Sequence, residues 1–318
     1  MNYLKNILKY RESSLGLIIL LFIIILSTTT DSFLTKINLY GIMYYITENT
    51  IIIGAITMII VSGNFDLSVG SLLGFSGILV GVLMQNMGLP IPVAIVITLL
   101  TGAFIGIING VIISYVGINP FITTLASWFV LLSLKYIINN GNHVSNLSNE
   151  FRLISRYKIY GIPLMVYIAI AIMIIFLILL KKTKYFRQNY YIGGNKKAAE
   201  LVGINVKKII TINYMLVGLS AATAGMLTAA RFRNAYTSAG TETAFIAIIA
   251  VIIGGASLYG GKGSVLGSFF GLIFISLVYN AIILYGINLN WNLLALGLLI
   301  IVAVTIDVIL EKKKNTSF

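Results

Sequence analysis

The chain has no cysteine, one histidine and four prolines, and only 10% of its 318 residues are charged. Each shortage excludes something. Without cysteine there is no disulfide framework and no thiolate metal site. A lone histidine, His143, cannot form a histidine metal cluster, and it reads as a solvated loop residue. A soluble domain carries about 25% charged residues, so 10% argues against a surface bathed in water on all sides. Acids are scarcer than bases, 9 against 22, for a net charge of +13. That excess does not imply nucleic acid, because the bases form short clusters between apolar runs, as membrane topology requires.

Apolar side chains are abundant, at 58% of the chain. A bilayer core of about 30 Å needs roughly 20 apolar helical residues. The runs are 15–30, 40–62, 68–87, 91–115, 120–138, 162–180, 209–230, 244–258, 264–285 and 291–310. The eighth would cover only roughly 23 Å at 1.5 Å per residue. It is expected to be tilted, partly buried or re-entrant. Pro90, Pro92, Pro120 and Pro163 all fall at span starts, where a missing N–H matters least. Lys5, Lys9 and Arg11 precede the first run, and "STTTDSF" after it offers no small-x-small cleavage site, so the run reads as a membrane helix. The expected fold is an all-α polytopic membrane protein of about ten spans, one transmembrane domain over 1–318, multi-pass in the plasma (inner) membrane.

Charge sets the orientation. Lys181, Lys182, Lys184, Arg187, Lys196, Lys197, Lys207 and Lys208 crowd 181–208, and Lys312, Lys313 and Lys314 end the chain. Both termini and the loop 181–208 are therefore expected in the cytoplasm. Arg152, Arg156 and Lys158 in the external loop 139–161 run against the rule. They are either tolerated or meet an external partner.

"GGASLYGGKGS", Gly254 to Ser264, superficially looks like a phosphate loop. It fails the spacing G-x-x-x-x-G-K-[ST], because Gly263 follows Lys262 and Ala256 stands six positions before it. The glycines are expected to permit a turn between membrane helices, with Lys262 reaching headgroups. In "IGGNKKAAELVGINVKK", Asn195 is placed to cap a short helix and Gly203 to end it. Ala198, Ala199, Leu201 and Val202 give an apolar side, and Lys196, Lys197 and Glu200 a polar one. Two turns are not stable alone. The segment needs a docking surface, which is either a partner protein or the lipid headgroups.

Four stretches carry a family resemblance: "SGNFDLSVGS" (62–71), "NGVIISYVGINPFITTLAS" (109–127), "GGNKKAAELVGINVKKI" (193–209) and "GGASLYGGKGSVLGSFFG" (254–271). In this order they resemble the membrane permease subunit of bacterial ATP-binding-cassette importers of the ribose/monosaccharide type, over roughly 35–310. The resemblance implies a separate ATPase subunit that binds ATP and Mg, with no cofactor on this chain. It also implies an extracytoplasmic substrate-binding protein and a second permease copy, homomeric or heteromeric. It assigns coupling to the ATPase to Asn195, Lys197, Ala198, Ala199, Glu200 and Gly203. Two features depart from the pattern: Ala244 stands where many such permeases carry a glutamate, with Glu242 the nearest acid, and Glu48 lies inside the second span.

A path for a neutral, hydroxyl-rich solute needs weak polar contacts, which makes Asn64, Asn109, Thr123, Thr124, Ser127 and Trp128 candidates. Asp66 and Ser68 are placed to cap the third span. Glu48 is functional or reaches water near the helix end. The alternatives are a secondary active transporter of a small polar solute, which would need more intramembrane acids than Glu48, or a permease for nucleosides or a furanose signal molecule.

Overall fold

The computed structural model describes residues 11–288 and 290–315. Lys5 and Lys9 lie outside them. Helices occupy all of the apolar runs: α1 (Arg11–Thr29), α2 (Lys36–Val61), α3 (Ser68–Gln85), α4 (Ile91–Val111, prolonged by a π turn over Ile112–Val116), α5 (Pro120–Ile137), then α6 (Asn149–Arg156) and a small hairpin of β1 (Lys158–Ile159) and β2 (Ile162–Pro163). There follow α7 (Leu164–Lys182), α8 (Lys184–Gly194), α9 (Lys196–Leu201), α10 (Val206–Phe232), α11 (Thr243–Ile253), α12 (Val265–Leu284) and α13 (Trp291–Asn315). Seven of them are long and apolar enough to cross a membrane: α2, α3, α4 with its π turn, α5, α7, α10 and α12. The apolar parts of α1, α11 and α13 are shorter. The four prolines open α4, α5 and α7 as expected.

Lipid tails are as apolar as leucine, so membrane helices associate through close packing rather than hydrophobic transfer. The sequence supplies this with small residues. Gly102, Gly106 and Gly110 recur every fourth position on α4, and a Cβ on any of them would overlap the α10 backbone at Gly218, Tyr214 and Thr211. α10 also packs on α2 and α3, and these three helices form the centre. Threonines inside the spans satisfy their hydroxyls on the turn below. Thr47, Thr50, Thr57, Thr98, Thr101, Thr124 and Thr223 each donate to the carbonyl four residues back.

The bundle has two ends. The loops around 183–205 and 254–264 meet at the lysine-rich end, and the loops 138–148 and 233–242 meet at the opposite one. There Val144 pairs with Ala235, and Arg233 Nε donates to Leu147 O at 2.9 Å. His143, expected as a loop residue, is exposed, yet its Nδ1 accepts the Thr237 N–H at 3.1 Å.

α11 resolves the doubtful eighth run. Its 11 residues rise about 16 Å, half a membrane. The segment before it starts at the opposite end beside Leu147 and reaches inward until Gly240 lies against Gly70 in the first turn of α3. α11 then continues to Gly254, which packs on Gly267 at the start of α12. Irregular backbone at such a depth is tolerated because protein surrounds it. Glu242 precedes α11 and its carbonyl accepts from Ile246 N, which places its charge at the helix N-terminus, where the dipole favours it.

Candidate functional site

The four family-like stretches are far apart in sequence and meet at the lysine-rich end. Gly193, the penultimate residue of α8, lies against the backbone of Val61, Gly260 and Gly261, and a Cβ there would overlap the Val61 carbonyl. Gly261 N donates to Val61 O at 2.8 Å. Tyr190 Oη donates to Gly263 O at 2.9 Å. Beside this junction a cavity of about 380 Å³ is bounded by Asn64, Asn119, Gly194, Asn195 and Tyr259, one or more from every stretch.

The glycine stretch therefore has a structural role of its own. Gly260 and Gly261, both at positive φ, let the turn sit flush on α8. Ser264 caps α12 by accepting from Gly267 N at 2.9 Å. The hydroxyl of this stretch thus holds a helix end.

The short helix forms as its ends predict. Asn195 Oδ1 accepts from Ala198 N at 3.0 Å, and Gly203 follows at φ +84°. Its apolar residues do not share one side, however, and this corrects the sequence reading. Ala199 is buried against the chain itself, whereas Ala198, Leu201 and Val202 face outward, the last two 88% and 76% exposed. Ala199 fastens α9 at its base, and Leu201 and Val202 form the free tip. Lys197 and Glu200 are exposed beside them. α8 itself escaped the sequence reading. Thr183 caps it, and Asn189 Oδ1 accepts from Asn213 Nδ2 of α10 at 2.7 Å in a buried contact. An asparagine inside a basic loop was the available signal.

Of the polar candidates, a subset is joined. Asp66 Oδ1 accepts from Ser68 N (2.7 Å) and Ser68 Oγ (2.6 Å), Asn109 Nδ2 donates to Ser68 Oγ (3.1 Å), and Ser127 Oγ donates to Asn109 Oδ1 (2.8 Å). This chain ties the start of α3 to α4 and α5. Asp66 accepts from the first helical N–H although it stands two positions ahead of Ser68, and Ser68, also expected as a cap, is instead the first helical residue. Burial pushes its carboxyl up to about 6, against the opposing hydrogen bonds from Ser68 and Val69. The remaining candidates stay apart. Asn64 bonds back to Ser62, and Thr123 and Thr124 bond to the carbonyls of Asn119 and Pro120. Trp128 is half-buried on α5, its ring 4.8 Å from that of Phe129. Lys135, almost fully buried near the end of α5, was missed, although a lysine inside an apolar run was visible.

Residues 38–304 match the family model described as "Branched-chain amino acid transport system / permease component". The chain belongs to this family. It is 35% identical to the ribose import permease protein RbsC of Bacillus subtilis (strain 168) over 92% of this chain and 91% of that one. It is 33% identical to the ribose import permease protein RbsC of Escherichia coli (strain K12), over 96% and 95%. Against the galactose/methyl galactoside import permease protein MglC of Haemophilus influenzae (strain ATCC 51907 / DSM 11121 / KW20 / Rd) identity is 30%, over 98% and 97%. No solved structure matches. The chain is thus an integral membrane permease component, and the junction of the four stretches is a feature of its lysine-rich end.

Proposed function

We propose that this chain is the membrane subunit of an ATP-driven importer, forming the path for a monosaccharide handed over by an external binding protein. The relatives' sugar names and their near full-length match support the cargo class. ATP and Mg are bound by a separate ATPase subunit, and a second permease copy completes the pore. All of the apolar runs count as spans, with α11 and its lead-in segment as one crossing. The single transmembrane domain sits in the plasma membrane with both termini inside, because the lysines of 181–208 mark the cytoplasmic end.

The observation that carries the mechanical part is α9: a capped, two-turn helix anchored by Ala199, with Leu201 and Val202 held out bare. A protein cleft would cover that tip. Asn195 and Gly203 fix its shape, and Ala198, Lys197 and Glu200 stand on its outward faces. Movement of the ATPase then reaches α8, and through Gly193 the turn 260–261 and α11. Asn109, bonded to Ser127 on one side and to Ser68 on the other, holds α3, α4 and α5 together along the path, and Asn64, Thr123, Thr124 and Trp128 remain candidate lining groups.

The test pairs two rates in the reconstituted complex. Leu201→Asp with Val202→Asp is expected to leave membrane insertion and binding-protein docking intact while abolishing coupling of ATP hydrolysis to uptake of radiolabelled D-ribose, D-galactose or D-fructose. Wild-type uptake and ATPase rates in that variant would show that α9 lies on headgroups instead.

A further inference from the structure

A second cavity lies in the opposite half of the bundle, away from the four stretches. It holds about 170 Å³ between α2, α3, α10 and the segment leading into α11. Glu48 faces it from α2, Thr228 and Phe232 from α10, and Asn234, Tyr236 and Ser238 from the lead-in segment. Ser238 and Tyr236 are exposed, so the cavity opens toward the end that carries the loop 138–148.

Thr228 is the telling residue. Its neighbours in kind bond to the helix turn below, but Thr228 Oγ1 is buried with no hydrogen-bond partner, and the side chain is only 7% exposed. Its hydroxyl is directed at the Glu48 carboxyl. Arg231 attracts Glu48 from α10 while its guanidinium lies over the Tyr44 and Phe232 rings, 4.2 and 4.5 Å from their centroids.

We propose that this cavity is a transit site for one monosaccharide ring, with Glu48 accepting a sugar hydroxyl, Thr228 meeting the same or the adjacent hydroxyl, and the Phe232 and Tyr236 rings bordering the C–H face. The inference rests on the importer function proposed above and names where the cargo pauses. Size supports a single ring: a cavity of about 150 Å³ accepts benzene, so 170 Å³ suits one monosaccharide ring and is too small for a disaccharide. Chemistry supports a neutral polyol. A carboxylate accepts hydroxyl donors, a threonine hydroxyl donates and accepts, and the glycines Gly74, Gly77 and Gly225 add no charge.

The natural lack of cysteine makes the test direct. Ser238→Cys in the full chain, reconstituted in lipid nanodiscs, is labelled with an impermeant methanethiosulfonate reagent with and without D-ribose, D-galactose, D-fructose or maltose. A monosaccharide at ten times its half-protecting concentration should slow labelling about tenfold. Maltose should not, and Glu48→Gln or Thr228→Val in the same background should remove the protection. Saturation-transfer NMR of the same monosaccharides on the chain without Ser238→Cys gives a second readout, in which Glu48→Gln and Thr228→Val should lose the signal. Labelling that no monosaccharide slows, or protection that survives both substitutions, overturns the site. In the assembled complex, uptake unchanged by Glu48→Gln and Thr228→Val overturns the site and leaves the importer standing. A wild-type complex that imports none of these sugars overturns the importer reading.

Discussion

α7 and α11 are both apolar helices, and they do opposite jobs. α7 has 19 residues, of which only Met165, Ala169, Phe176 and Leu180 are buried, with Ile170, Ile174, Ile175 and Ile178 turned outward. α11 has 11 residues, and eight of them are buried. α7 can be changed against lipid, which imposes little shape. α11 is clasped by backbone, with Gly240 on Gly70 at one end and Gly254 on Gly267 at the other. Apolar composition puts a helix in the membrane, and glycine contacts decide whether its position there is fixed.

Four substitutions sharpen this contrast. Gly254→Val should have the largest effect, because its Cβ would meet the backbone of Gly267 and Ser268. A loss on the order of 3–5 kcal/mol is expected, seen as a collapse of folded yield and of the thermal midpoint in detergent. A midpoint within error of wild type would mean that the α11–α12 contact yields easily.

Asp66, at the clasped side, gives the next effect. Its carboxyl is pushed up to about 6 by burial, from an ordinary value of 3.8, so folding favours the protonated form. That contribution is complete below about pH 3.8 and is lost as pH rises through about 6. The scale is about 1.4 kcal/mol per unit. The thermal midpoint should fall across this window in wild type and stay flatter in Asp66→Asn. Equal pH profiles would refute the assignment.

Asn195→Ala removes a cap outside both helices and should cost about 1 kcal/mol locally, measured as faster amide exchange at Ala198. Exchange at the wild-type rate would show that the tip does not need its cap. Ile174→Ala on the lipid face of α7 should fall within about 0.5 kcal/mol. A larger loss would show that this face is covered by protein, such as a second copy of the chain.

Much of the fold was legible because membrane helices announce themselves by length and apolarity. The ends of α9 were legible too, since Asn195 and Gly203 act locally. The inward turn of Ala199 was not, because two turns of helix have no periodicity long enough to say which side faces the chain. Neither the cavity at Glu48 nor the junction at Gly193 could be read. Glu48 and Thr228 are 180 positions apart, and backbone-to-backbone contact leaves no side-chain pattern to find. The lead-in to α11 was half visible: its helical run was plainly too short, but nothing in 233–242 shows that it turns inward. The chain Asp66–Ser68–Asn109–Ser127 was visible as residues and invisible as a connection.

The contact of Gly193 with Val61, Gly260 and Gly261 has a mechanical consequence. Most interfaces between helices have compliance, since side chains can change rotamer and absorb a small displacement. Here the touching atoms belong to the main chain and have no rotamer to change. A shift of α8 of even a fraction of an ångström must be answered by a shift of the turn that leads to α12 and holds Gly254, or the two must part. The joint behaves as a hard stop rather than a spring.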